Sequence, residues 1–260
     1  MSGGIGLALR QVRYENRAFW RNPAAAFFTF IFPLMFMLIF NVLFGGLGRS
    51  GSGASQFYTP TLIVFSVITA TFTNLAMSVT MARDEGVLKR VRGTPLPAWA
   101  FLAGRVVHSM LIAALLVVII SVFGAVFYGV RFPWQALPAV VATLAVGAAT
   151  FASLGLALTA AIPNGDAAPA VVNAAILPLE FISNIFIDMR QAPAWINTVS
   201  ELFPVRHFAD AMLTLWNPDS SASLGQPSGF QPADLLAIAA WGVAGVIVAL
   251  RFFSWEPRVA

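Results

Sequence analysis

The stretch VVHSMLIAALLVVIISVFGAVFYGV, Val106–Val130, decides the fold. It carries no charge, and a helix needs about 20 mostly apolar residues to cross a bilayer. The run is the core of a span that begins near Trp99 and is assigned to 99–127. On its N-terminal side, an uncharged run from Pro23 to Gly48 holds a first span at 24–44, and Phe57–Ala82 holds a second at 57–81. On its C-terminal side lie spans at 135–162, at 167–187 (interrupted by Glu180), and at 233–253, flanked by Trp241 and Trp255. The expectation is one all-α integral membrane domain over 1–260, with six transmembrane helices.

Composition agrees. Of 260 residues, 58% are hydrophobic and 10% charged, and the mean hydropathy is +0.80. Soluble domains carry about 25% charged residues. A disordered chain, a nucleic-acid-binding domain and an ordinary soluble enzyme are therefore excluded. The net charge of +4 comes from bases placed between the apolar runs, where they set topology. Six spans put Arg10, Arg13, Arg17, Arg21, Arg83, Lys89, Arg90, Arg92, Arg105, Arg251 and Arg258 on one side. Arg49, Arg131, Arg190 and Arg206 fall on the other. Both termini are thus expected in the cytoplasm. The first apolar run exceeds a signal-peptide core and follows a charged leader of some twenty residues, so it reads as retained. The Gly/Ser-rich loop 45–56 reads as external. No cysteine is present, which excludes disulfides, thiolate metal sites and a cysteine nucleophile.

Within residues 5–21, Arg10, Arg13 and Arg17 share one helical face, while Ile5, Leu9, Val12, Phe19 and Trp20 lie largely elsewhere. That pattern fits a helix lying in the membrane interface, and equally a positive anchor before the first span. Residues 81–97, MARDEGVLKRVRGTPLP, place acids before bases, as a helix dipole favours, and close on two prolines. Val87, Leu88 and Val91 give the segment an apolar side. It reads either as a short helix at 83–93 that docks on a soluble partner or as a solvated loop carrying topology charges.

Arg83-Asp84-Glu85-Gly86-x-Leu88-Lys89-Arg90-x-Arg92-x-Thr94-Pro95-Leu96-Pro97 resembles the coupling segment of ABC-type exporter permeases of the second type, in particular the daunorubicin-resistance-like drug exporters. The resemblance extends to the amphipathic N-terminal helix, the six spans, and an external re-entrant region at 188–230. In that region Pro193, Trp195, Phe203-Pro204 and Phe208-Ala209-Asp210-Ala211 follow the family pattern, whereas Asn184 stands where glycine is common. The resemblance implies that Arg83, Asp84, Glu85, Gly86, Leu88, Lys89, Arg90 and Arg92 couple the chain to a cytoplasmic ATPase subunit, in two copies. It also implies a second permease copy, identical or similar, in a plasma membrane. ATP and Mg would sit on the partner, with no cofactor in this chain. The chain's own residues agree, because a G-x-x-x-x-G-K-[ST] loop needs a lysine after glycine and the one lysine, Lys89, follows Leu88.

Glu180 lies deep in an apolar run and costs several kcal/mol unless it faces protein or water. It reads as a pathway contact or as an interhelical hydrogen bond, with Asn173, Ser183 and Asn184 as candidate partners. Phe32, Met35 and Phe36 are candidates for lining a pathway or a dimer interface, or for plain packing. In the external region, Arg206, His207 and Asp210 are the polar candidates. A His207–Asp210 pair could hold a metal or move a proton, or it could be an ordinary hydrogen bond. The expected function is export of hydrophobic or amphipathic small molecules, drug-like or lipid-like, by a subunit that is not itself an enzyme and contacts membrane lipids but no nucleic acid. Alternatives are an ion-coupled secondary transporter and a membrane enzyme acting on lipid. The first wants repeated halves and several buried ionisable groups, and the second wants clustered acids or histidines at one depth.

Overall fold

The computed structural model describes residues 2–44, 53–94, 96–189, 192–217 and 231–255. Among them are eleven α-helices and no strand. The expected 45–52 part of the Gly/Ser-rich loop, Arg190 and the 218–230 connection lie outside the described residues, as does the side chain of Arg92.

Helix α1, Ser2–Trp20, precedes α2, Pro23–Phe44. The next span is continuous from Ala54 to Asp84 but is built from α3, Gly53–Ile68, a π-helical turn at Thr69–Thr73, and α4, Asn74–Asp84. A short α5, Val87–Arg92, leads to the long α6, Ala98–Tyr128. Pro97 in an extended conformation starts α6, and Gly129 with φ +64° ends it. Helix α7, Leu137–Leu158, and α8, Ala168–Phe181, follow. Then come the short α9, Ala194–Ser200, α10, Pro204–Trp216, and finally α11, Pro232–Phe252.

Among the described residues, five helical stretches are long and apolar enough to cross a membrane: Pro23–Phe44, Ala54–Asp84, Trp99–Tyr128, Trp134–Leu158 and Pro232–Phe252. The span expected at 167–187 differs. Its helix, α8, has 14 residues, about 21 Å at the helical rise, against a hydrocarbon core of about 30 Å. Pro178 lies inside it, and at Asn184 the backbone turns left-handed with φ 60°. A left-handed residue cannot continue a right-handed helix. The helix stops at Phe181, and the chain continues as the irregular segment 182–189.

The second span is the centre of the bundle. Leu62, Ile63, Val64, Val67 and Ile68 are all at most 1% exposed. The spans Pro23–Phe44 and Pro232–Phe252, by contrast, leave most of their apolar surface uncovered. Helices α7 and α11 approach closely through small and hydroxylated residues, as membrane helices do when lipid offers no hydrophobic drive between them. Thr150 donates to the carbonyl of Ile238 (3.0 Å) and Ser153 to that of Gly242 (3.0 Å). A Cβ on Gly242 would stand 2.6 Å from Thr150 Oγ1, so a larger residue there would have to displace the hydroxyl that bonds Ile238. The basic segments gather at one end of the bundle, hereafter the charged end; α9 and α10 cover the opposite end.

Candidate functional site

At the charged end, α4 runs straight into Arg83 and Asp84, and Gly86 (φ +69°) then turns the chain into α5. Arg83 does not share a surface with the rest of the segment. Arg83 is 1% exposed. Its Nη1 donates to the carbonyl of Thr159 (2.8 Å) and its Nη2 to that of Ile162 (2.7 Å), beyond the last turn of α7. Carbonyls there have no partner within their own helix, so the guanidinium acts as a cap supplied from another element. Asp84 Oδ2 accepts from the Gly165 amide at 3.1 Å. Arg83 is therefore corrected from a docking contact to an internal clamp that joins the second span to the α7–α8 connection. Asp84 clamps the same connection but keeps an exposed side chain.

The remaining residues of the segment are arranged as an amphipathic helix requires. Leu88 is fully buried, in a cluster with Leu75, Val79, Ala82, Phe101 and Ala152. Glu85, Lys89 and Arg90 are exposed, and Arg90 Nη2 approaches the Glu85 carbonyl at 3.4 Å. The short helix thus sits on the bundle through one leucine and turns an acid and two bases outward.

At the opposite end, helix α10 buries Phe208, Ala209 and Met212 completely and carries its polar residues on the other face. The predicted His207–Asp210 pair does not form. Asp210 bonds Arg206 one turn back (Nε–Oδ2 2.5 Å) and accepts from Asn184 Nδ2 (2.6 Å). His207 points toward α11 instead: Nδ1 lies 2.7 Å from Asp234 Oδ1 and Nε2 lies 2.9 Å from the Glu201 carbonyl. Residues three apart on a helix differ by about 60° in direction, enough here for two different neighbours. Apolar surroundings push the Asp210 carboxyl above its ordinary range, against the pull of Arg206 and Asn184. Asn184 Oδ1 also accepts the Met189 amide (2.7 Å), and Asn197 accepts from Arg206 (3.3 Å). This network closes the irregular segment onto α10. Pro193 and Pro204 stand at the starts of α9 and α10, where a missing amide proton costs nothing. Trp195 is exposed.

Glu180, in the last turn of α8, is 1% exposed. Two of its expected partners are elsewhere: Asn173 is exposed on α8, and Asn184 is committed to Asp210 and Met189. Phe36 belongs to an aromatic column in which its ring lies 4.7 Å from Phe32, 5.5 Å from Phe40 and 5.8 Å from Phe186. Phe186, from the irregular segment, also meets Phe65 and Phe181. Phe32 and Met35 remain more than 40% exposed on the outer side of α2. Sequence reasoning missed Thr159, Ile162, Gly165, Asp234 and Phe186. The first three contribute backbone groups, which carry no side-chain signal. Asp234 opens the last span and could have been paired with His207 only by knowing the fold.

Comparison with known proteins adds an independent line. The family model described as ABC-2 type transporter matches residues 10–215. The chain is 26% identical over 255 residues to a daunorubicin resistance ABC transporter permease protein of Streptomyces coeruleorubidus, covering 94% of this chain and 83% of the relative. It is 27% identical over 186 residues to an inner membrane transport permease of Escherichia coli (strain K12), covering 68% of this chain and 71% of the relative. A probable multidrug ABC transporter permease of the same strain is 21% identical over 168 residues, covering 65% of this chain and 45% of the relative.

Proposed function

The chain belongs to the ABC-2 type transporter family, and from that membership we propose that it is the membrane permease subunit of an exporter driven by a separate ATPase subunit. The observation that carries the reading is α5. A helix anchored by the buried Leu88 and presenting Glu85, Lys89 and Arg90 suits a cleft of mixed charge on a soluble protein. Movement of that cleft reaches the spans by two routes, through the Leu88 cluster and through the Gly86 turn into the Arg83 clamp. The charged end would face the cytoplasm, as the basic residues favour.

Two copies of the chain, or this chain with a similar one, would form the pathway. The largely uncovered apolar surface of Pro23–Phe44 and the aromatic column behind it support that assembly. The cargo would be hydrophobic or amphipathic, since the candidate walls are phenylalanine and methionine and Glu180 is the one carboxylate among them. The names of the relatives, daunorubicin resistance and multidrug permeases, lend support to this class.

The test is purification in mild detergent with whatever ATPase subunit accompanies the chain, reconstitution into vesicles, and measurement of ATP-dependent movement of an anthracycline. Glu85→Lys combined with Arg90→Glu inverts the exposed charges of α5. It should abolish transport while leaving the detergent-solubilised chain monodisperse. Retained transport in that variant, or a chain that never carries an ATPase, would overturn the reading.

A further inference from the structure

A cavity of about 400 Å³ lies between α1, α2, α4 and α6, on the charged-end half of the bundle. Its polar floor is an ion pair with two unused ends. Arg105 Nε donates to Glu15 Oε1 (3.0 Å) and Arg105 Nη1 to the Ser78 carbonyl (2.9 Å). Glu15 Oε1 also accepts from Gln11 (2.8 Å). Among the described residues, Arg105 Nη2 and Glu15 Oε2 make no hydrogen bond. Both side chains line the cavity, and each is less than a fifth exposed. His108 lines it too, with a buried Nε2 that has no hydrogen-bond partner.

Two further observations point to an occupant. The π-helical turn Thr69–Thr73 supplies Ala70 to the cavity wall, and Asn74 follows directly after it. Such turns widen a helix locally and recur at functional positions. The rest of the wall combines an apolar side, from Phe19, Leu75, Met77, Met81 and Ile112, with the polar Asn22, Thr29 and Ser109. Arg105 is seven residues into α6 and Ser78 six residues from the end of α4, which puts the ion pair about 10 Å inside the bundle end. That depth matches the roughly 5–10 Å to which interfacial groups enter the boundary between headgroup and acyl chain. The cavity shares Ala18 and Asn22 with a larger recess, about 890 Å³, bordered by Tyr14, Arg17, Trp20 and Arg21 at the α1–α2 corner.

We propose that this cavity binds the headgroup of a phospholipid bearing a primary ammonium, of the phosphatidylethanolamine class. The phosphate takes the free Nη2 of Arg105, and the ammonium donates to the free Oε2 of Glu15. The acyl chains leave along the apolar wall. A purely anionic headgroup would bring its charge against Glu15 with nothing to answer that carboxylate. A quaternary ammonium offers it no N–H. A soluble zwitterion has no use for the apolar wall, which is why the occupant is a lipid. The site is complete within one copy of the chain and does not depend on the transport reading.

Native mass spectrometry of the full chain in detergent, with phosphatidylethanolamine, phosphatidylglycerol and phosphatidylcholine added in equal amounts, tests this. The expected result is at least tenfold preference for the ethanolamine lipid. Glu15→Gln should erase its advantage over phosphatidylcholine, and Arg105→Gln should remove all three lipids. Should either polar variant misfold, Ala25→Leu decides. Ala25 is exposed at the rim, and the larger side chain crowds the mouth of the cavity, so the adduct should be lost with the melting temperature unchanged. Equal or stronger retention of phosphatidylglycerol or phosphatidylcholine by the parent chain would overturn the proposal. So would an adduct that survives Ala25→Leu, or displacement of the lipid by equimolar soluble glycerophosphoethanolamine.

Discussion

Arg83 donates to the backbone carbonyl of Thr159 across 76 residues of sequence, and the two are buried to 1% exposure each. The contact ties the end of the second span to the end of α7. It places a charged side chain, from a segment otherwise turned to solvent, inside the protein. The clamp lies between α5 and the spans, so disturbing it should affect both folding and coupling.

Arg83→Ala leaves the Thr159 and Ile162 carbonyls buried without donors. A loss of about 3 kcal/mol is expected, at roughly 1–3 kcal/mol for each unsatisfied group. Arg83→Lys should recover less than half of it, because an ammonium is a compact point charge and not a planar fork reaching two acceptors. Thermal unfolding of the detergent-solubilised chain reads both.

Leu88→Ala empties the position that seats α5 on Leu75, Val79 and Phe101. The cost, roughly 3 kcal/mol, should appear locally. Hydrogen exchange at residues 87–92 should accelerate while the second span stays protected. ATP-driven transport should fall about tenfold, the factor that 1.4 kcal/mol of lost coupling would give.

Gly155→Ala tests the π-helical turn. A Cβ there would stand 2.8 Å from the Phe72 carbonyl oxygen and 3.1 Å from Phe72 Cα, both backbone atoms that cannot swing away. A loss of about 2 kcal/mol is expected from overpacking. An unchanged melting temperature would show that α7 does not press on the turn as closely as the structure has it.

Asp210 predicts a pH dependence. Its carboxyl is raised in the folded protein, chiefly by burial, so the fold holds its proton more tightly than the unfolded chain does. The associated stability is complete below the ordinary carboxylate range and is lost as pH climbs through the raised value. Melting temperatures measured from about pH 4 to pH 7 should therefore decline more steeply for the parent than for Asp210→Asn. A steeper decline in the variant would reverse the sign.

Asn184 combines a left-handed backbone with two side-chain bonds. Asn184→Ala should cost about 2–3 kcal/mol, from backbone strain of 1–2 kcal/mol plus the lost bonds. Asn184→Gly removes the strain but not the loss of bonds, and should melt between the parent and the alanine variant.

The sequence by itself determined the class of this protein. Uncharged runs such as Val106–Val130 have one stable solvent, and backbone hydrogen bonding in lipid admits only helices for segments of that length. The order of acids and bases around Gly86, with Leu88 between them, carried the family resemblance but left a docking helix at 83–93 and a solvated loop both open; the structure forms a helix only over Val87–Arg92. The tertiary structure decided which charged residues are inside. Arg83 and Lys89 look alike in a string of letters, but Arg83 lies where the end of α7 and the connection after it offer bare carbonyls, and no local periodicity reports a partner 76 residues away. The same holds for His207, which turns from Asp210 to Asp234 because α11 packs beside α10. It holds again for the fifth span, where apolar composition runs on to Ile187 but a left-handed Asn184, fixed by Asp210 and the Met189 amide, ends helical order early. Composition and spacing are local properties and report which solvent a segment prefers. The partner that satisfies a buried polar group is set by how the segments pack, and that is decided only when the whole bundle closes.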